Sequence, residues 1–262
     1  MRSHRVFFIR GLSTYGHDSA RFSFLDFGPV YRHLQRGLSQ RGLDFHPITD
    51  LGTGSLVQLA ERSLNFLRQD PEWKDPQATV HLLGHSAGGL VARLLVERLE
   101  ALDEQKKISS LLTIATPHRG STLAKIFAEM PTQHPASARW LRALGYNVET
   151  KNNFFKELTP ESIQQLLPNP PKNLKVASII CATSPNQWCW PLKAARLLSA
   201  YRAFDLPSDG IVEKESQIFG EVIAELPIDH FRQAGFFGGK QEFHRMLNTI
   251  SSFYQRSTNA VC

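Results

Sequence analysis

A chain of 262 residues, 42% hydrophobic and 21% charged, carries enough apolar sequence for one large packed core, which excludes an intrinsically disordered protein. Lys and Arg number 30 against 24 Asp and Glu, and this net +6 is spread without the aromatic-interleaved basic stripe of a nucleic-acid binder; no nucleic-acid partner is expected, and at most weak contact with an anionic membrane surface. Three cysteines without metal-type spacing exclude a disulfide framework, with Cys181 read as a core thiol, and no apolar run reaches the length of a membrane span or signal peptide, so the expected location is cytoplasmic.

In chain order, the run Val6-Phe7-Phe8-Ile9 predicts a first strand, followed by a polar loop and a helix over 30–41. A second strand is expected over 45–48 and a second helix over 56–69. The run 80–83 then leads into Gly84-His85-Ser86-Ala87-Gly88 and a helical pattern over 90–99. Strand, sharp turn and helix make a nucleophile elbow, in which the turn strains the serine backbone and small residues two positions away keep neighbouring side chains clear. Ser86 is the candidate nucleophile, and Gly89 extends the small-residue set.

A strand at 111–114 completes an alternation that argues for a parallel sheet with helices on both faces and a site at the carboxyl ends of the strands. From 121 to 171 helical stretches follow one another without a strand, at 123–130, 138–144 and 154–167. This stretch reads as a helical insertion in a single α/β domain spanning residues 1–262. Strands at 176–181 and 222–226 and a helix over 241–254 close the chain.

A serine nucleophile needs a base, an orienting acid and an oxyanion hole. His230 follows the last strand and is the preferred base; His244 lies in an outer helix, and His81 and His46 lie in strand runs. Asp209, in Pro207-Ser208-Asp209-Gly210-Ile211-Val212 after an extended segment around 201–204, is the preferred acid, with Asp205 and Asp229 as alternatives. The order Ser86, Asp209, His230 is the order of α/β-hydrolase triads. The oxyanion donors would be the N–H groups of Ala87, after the nucleophile, and Leu12, which Gly11 would turn into the site.

Thr116-Pro117-His118-Arg119-Gly120-Ser121 resembles the Thr-Pro-His-x-Gly-Ser segment of bacterial triacylglycerol lipases, and Ser208-Asp209-Gly210-Ile211-Val212 is similar to their Asn-Asp-Gly-x-Val acid segment. The resemblance runs from Val6 to about Gly235 and points to lipases and carboxylesterases of the α/β-hydrolase superfamily. It implies an α/β-hydrolase fold, Ser86, Asp209 and His230 as triad, Leu12 and Ala87 as oxyanion donors, and residues 121–171 as a cap or lid. It also implies hydrolysis of small-molecule or lipid esters through an acyl-enzyme, without a cofactor. An acyltransferase or thioesterase would use the same triad, and a non-catalytic binding scaffold is the reading outside the enzymes. Two positions depart from the family pattern. Arg10 stands where the family has His, and Arg232 stands where secreted relatives carry a calcium-binding Asp, so no metal site is expected. Trp188-Cys189-Trp190-Pro191 is apolar enough to extend an acyl pocket or to pack a loop.

Overall fold

Strands β1 (His4–Ile9), β2 (Asp44–Pro47), β3 (Thr79–His85), β4 (Ile108–Ile114), β5 (Lys175–Cys181) and β6 (Glu221–Leu226) form one sheet in the order β2-β1-β3-β4-β5-β6. Each neighbouring pair is parallel. The computed structural model describes residues 4–11, 31–48, 51–52, 54–75, 78–104, 108–143, 148–166, 174–198, 201, 205–235 and 237–259. Helices α1 (Tyr31–Ser39) and α10 (Lys240–Asn259) cover one face; α2 (Leu56–Gln69) and α4 (Ala87–Ala101) cover the other.

Burial on both faces is why the inner strands read as unbroken apolar runs instead of alternating ones. Along β1, Phe7 and Ile9 enter the core shared with α2 and α4, while Val6 and Phe8 enter the core shared with α1 and α10. Helix α4 is apolar nearly all round because it lies between the sheet and α2, with Leu90, Val91, Leu95 and Leu99 fully buried. Helix α2 starts at Ser55, whose hydroxyl accepts from the Gln58 N–H while the Gln58 side chain accepts from the Ser55 N–H. Its observed limits are those predicted.

The short α3 (Pro71–Lys74) links α2 towards β3. Between β4 and β5 stand α5 (Thr122–Gln133), α6 (Pro135–Ala143), α7 (Val148–Glu157) and α8 (Pro160–Leu166). The single helix expected over 154–167 is therefore two. Pro160 cannot continue α7, and Thr159 caps the next helix by accepting from the Ser162 N–H at 3.3 Å. The extended segment expected around 201–204 is not seen at Tyr201, which is helical, and 202–204 lie outside the described residues. Positions 30, 144 and 167, at the ends of expected helices, also lie outside them. A short α9 (Trp190–Ala195) follows β5.

The chain goes from β1 to β2 on one side and returns with β3 on the other. The connections leaving β1 and β3 thus diverge at their carboxyl ends, which opens a crevice there. No described helix is long and apolar enough to cross a membrane.

Candidate active site

Strand β3 ends at His85 and α4 begins at Ala87, so Ser86 alone makes the turn. Its φ of 55° and ψ of −136° cost a residue with a side chain about 1–3 kcal/mol. Two backbone hydrogen bonds hold it there. Ser86 N–H donates to the Ile114 carbonyl at 2.9 Å, and Gly89 N–H donates to the Ser86 carbonyl at 3.0 Å. The glycines of the turn permit contacts closer than any side chain allows: a Cβ on Gly88 would fall 2.2 Å from the Ile9 carbonyl oxygen, and one on Gly89 2.0 Å from Thr116 Oγ1. Ala87 opens α4, where the first N–H groups leave the helix at its positive dipole end. Gly11 packs on Ser86, but Leu12, the second expected oxyanion donor, lies outside the described residues.

Asp209 and His230 come together at the neighbouring strand ends. His230 Nδ1–H donates to Asp209 Oδ2 at 2.6 Å, and the His230 backbone N–H donates to the Asp209 carbonyl at 2.9 Å. The other carboxylate oxygen, Oδ1, accepts from the N–H groups of Ile211 and Val212 at 2.9 and 2.8 Å. Gly210, at φ 96°, lets the chain curl back for these bonds, and the Tyr201 hydroxyl donates to its carbonyl. Asp209 is fully buried and His230 is 8% exposed. The ring of His230 lies 5.1 Å from that of His85, the residue before Ser86, which brings the pair to the elbow.

The competing residues lie elsewhere or bind differently. Asp205 is on the surface, where it pairs with Arg196 at 3.6 Å. Asp229 is fully buried and shapes the His230 loop. It accepts from the N–H groups of Phe231, Arg232 and Cys189 at 3.1, 3.0 and 2.9 Å, and Arg232 stands 3.3 Å from its Oδ2. His81 bonds Ser110 inside the sheet, His46 bonds Asp44, and His244 is exposed on α10. Among the described residues no three His, Cys, Asp or Glu side chains cluster as a metal site, and Arg232 holds its guanidinium against Asp229.

Two contributors escaped the sequence reading. Gln233 is 2% exposed; its Nε2–H donates to Asp209 Oδ2 at 2.8 Å, and its Oε1 lies 2.8 Å from His85 Nε2. Burial first, then the charge of His230, pushes His85 down to about 3, so its ring is neutral at ordinary pH. The only signal was the three-residue spacing from His230 to Gln233, and glutamine is too common at surfaces for that to stand out.

The second contributor is the tie between residues 118–122 and 211–216. His118 N–H donates to the Ser216 carbonyl at 2.8 Å and Arg119 N–H to Ser216 Oγ at 3.2 Å. Ser121 Oγ donates to the Ile211 carbonyl at 3.3 Å, and Thr122 N–H, at the start of α5, donates to Glu213 Oε1 at 2.6 Å. The Thr-Pro-His-x-Gly-Ser segment thereby buttresses the loop that carries Asp209.

Trp188 packs a loop: it is 2% exposed, its Nε1–H donates to the Thr183 carbonyl at 3.1 Å, and Tyr201 meets it edge-on. Trp190 is 58% exposed and meets Phe237 edge-on. Cys181 is fully buried and free, as a core thiol should be, and burial raises its thiol well above the usual range.

The family model described as a PGAP1-like alpha/beta domain matches residues 57–157, from α2 through the elbow to α7. Staphylococcus hyicus lipase superposes with a TM-score of 0.65 at 16% identity, covering 98% of this chain and 96% of that one. Bacillus licheniformis lipase BlEst2 in its mature form gives 0.61 at 17% identity, covering 93% and 91%. The fold is that of the α/β-hydrolases. In sequence, the chain is 31% identical over 166 residues to triacylglycerol lipase 2 of Saccharomyces cerevisiae, covering 61% of this chain. It spans about half the length of that relative, 47%.

Proposed function

We propose that this α/β-hydrolase is a serine hydrolase of carboxylic esters, with small-molecule or lipid esters as its substrate class. The observation that carries the reading is the buried Asp209–His230 hydrogen bond at 2.6 Å, beside a serine held at φ 55°. His230 Nε2 takes the Ser86 proton as Oγ attacks the ester carbonyl. Asp209 holds the imidazole in the Nδ1–H form and stabilises the imidazolium. The N–H groups of Ala87 and Leu12 bind the oxyanion, the alcohol leaves with the proton from His230, and water then releases the acid from the acyl-enzyme. Helices α5 to α8 serve as a cap on this site, and the net charge of +6 supports weak contact with anionic membrane surfaces.

A fluorophosphonate probe should label Ser86, and replacement of Ser86 or His230 by alanine should lower ester turnover by about 10^5–10^6-fold. A Ser86→Ala protein that still hydrolyses esters overturns the reading. A panel of esters and thioesters of increasing acyl length, assayed below and above micelle formation, then separates lipase, carboxylesterase and thioesterase. A sharp rise at the micelle threshold identifies the lipase.

A further inference from the structure

We infer that Gln233 is a positioning residue whose amide fixes Asp209 against His230 and holds the ring of His85 in its Nε2–H form. The inference rests on the serine-hydrolase reading of Ser86, Asp209 and His230.

The argument is one of donor and acceptor counting inside a closed space. Asp209 is 0% exposed, Gln233 2% and His85 8%. A carboxylate only accepts, so the Gln233 group 2.8 Å from Asp209 Oδ2 must be the NH2. The amide oxygen is thereby turned to His85 Nε2, also at 2.8 Å. An amide oxygen only accepts, so His85 must carry its proton on Nε2 and none on Nδ1. One buried carboxylate thus dictates an amide orientation, and through it a histidine tautomer.

Oδ2 of Asp209 receives both His230 Nδ1–H and Gln233 Nε2–H, while Oδ1 is taken by Ile211 and Val212. With four donors on it the carboxylate cannot swing away from His230. The Gln233 bond also draws charge from the oxygen that faces the imidazole, so removing it strengthens the pull of Asp209 on a protonated His230. The other titratable groups around the pair are His85 from β3, Asp229 and Arg232 from the His230 loop, Cys181 from β5, and Cys189 and Tyr201 near the two aspartates. Burial raises Cys189 to about 12, and Cys181 and Tyr201 upward as well, so these three stay neutral. His85 stays neutral too, and no second positive charge forms 5.1 Å from the His230 ring.

The test is the rate of Ser86 labelling by a fluorophosphonate as a function of pH, which requires no identified substrate. Gln233→Leu removes both amide bonds at similar size. Gln233→Glu keeps an acceptor for His85 and, because two buried carboxyls this close share a proton, restores a donor to Asp209 as the protonated acid. Gln233→Leu should slow labelling about tenfold and move the acid limb of the profile up by about half a pH unit; Gln233→Glu should return both towards the wild type. Slowed labelling with an unmoved limb in Gln233→Leu would mean packing alone and overturns the inference. A wild-type protein that the probe fails to label overturns the hydrolase reading instead. Should neither variant fold, 15N NMR of the wild-type protein decides. His85 should remain neutral in the Nε2–H form between about pH 5 and 9, and a titrating ring or the Nδ1–H form overturns the inference.

Discussion

A Cβ placed on Gly11 would stand 2.7 Å from the Cβ of Ser86 and 3.1 Å from its hydroxyl oxygen. The third atom it meets is the His85 carbonyl oxygen at 3.3 Å, and because a Cβ moves only with its backbone, relieving the clash shifts the elbow that holds the proposed nucleophile. Gly11→Ala is expected to lower turnover at least about tenfold for a loss of about 1–3 kcal/mol in stability. Gly88→Ala makes the contrast, because its Cβ would meet the carbonyl oxygens of Ile9 and Arg10 at 2.2 and 2.5 Å, and backbone cannot step aside. It should cost about 3 kcal/mol or more. Thermal melts beside ester kinetics separate the two, and a Gly11→Ala protein with wild-type turnover would refute the contact's importance.

The three candidate aspartates differ in place and in what they touch, and their variants should differ accordingly. Asp209→Asn should lower turnover about 10^4-fold, since an amide cannot both orient the imidazole and balance its charge. Asp229→Asn should cost about 1–3 kcal/mol of stability, because the bonds it makes organise the loop. Asp205→Asn, on an exposed carboxylate, should change neither. Turnover and melting temperature of the three proteins, measured side by side, check the assignment.

Acid should destabilise this protein well before its carboxylates titrate. Burial lowers His85 from 6.5 to about 3, and burial with the charge of Arg93 lowers His118 well below 6.5. Below pH 6.5 the unfolded chain binds protons on these rings that the folded chain refuses, so stability falls as pH drops. For His85 the window runs from 6.5 down to about 3, at about 1.4 kcal/mol per pH unit. Melting temperature should therefore fall steadily from pH 6.5 to 4, and less steeply in His85→Gln. Equal slopes for the two proteins would count against a neutral His85.

Glu213 joins the acid loop to the first turn of α5 through the Thr122 N–H at 2.6 Å, and it is 8% exposed. A carboxylate there also meets the positive end of the helix dipole. Glu213→Ala is expected to cost about 1–3 kcal/mol and to lower turnover through Asp209, whose turn closes where Ser208 bridges Glu213. Hydrogen exchange should rise in both segments 118–122 and 208–216; a rise confined to one of them would argue against the tie.

The inner strands could be read from the chain because burial on two faces leaves an apolar run that local composition displays, as in Val6-Phe7-Phe8-Ile9. The elbow could be read because its small residues and its serine fall within five consecutive positions. Order and turn chemistry favour Asp209 over Asp205 and Asp229 in the sequence; the hydrogen bond to His230 spans 21 residues and leaves no periodic trace. The same holds more strongly for His85 and Gln233, which are 148 residues apart, and for Ser216 and Gly120, 96 apart. Such contacts depend on where folded segments meet. The split between α7 and α8 falls at Thr159-Pro160, and the apolar pattern that runs across it hides the break.

The backbone of Ser86 has one more implication. At φ 55° and ψ −136° a glycine would sit without a Cβ to strain the turn, so Ser86→Gly should make the fold more stable, by about 1 kcal/mol once the looser unfolded chain is counted. Folding by itself would therefore select glycine at this position. A side chain that weakens its own fold, at the one place where α4 leaves the sheet, is evidence of a demand on position 86 that does not come from folding.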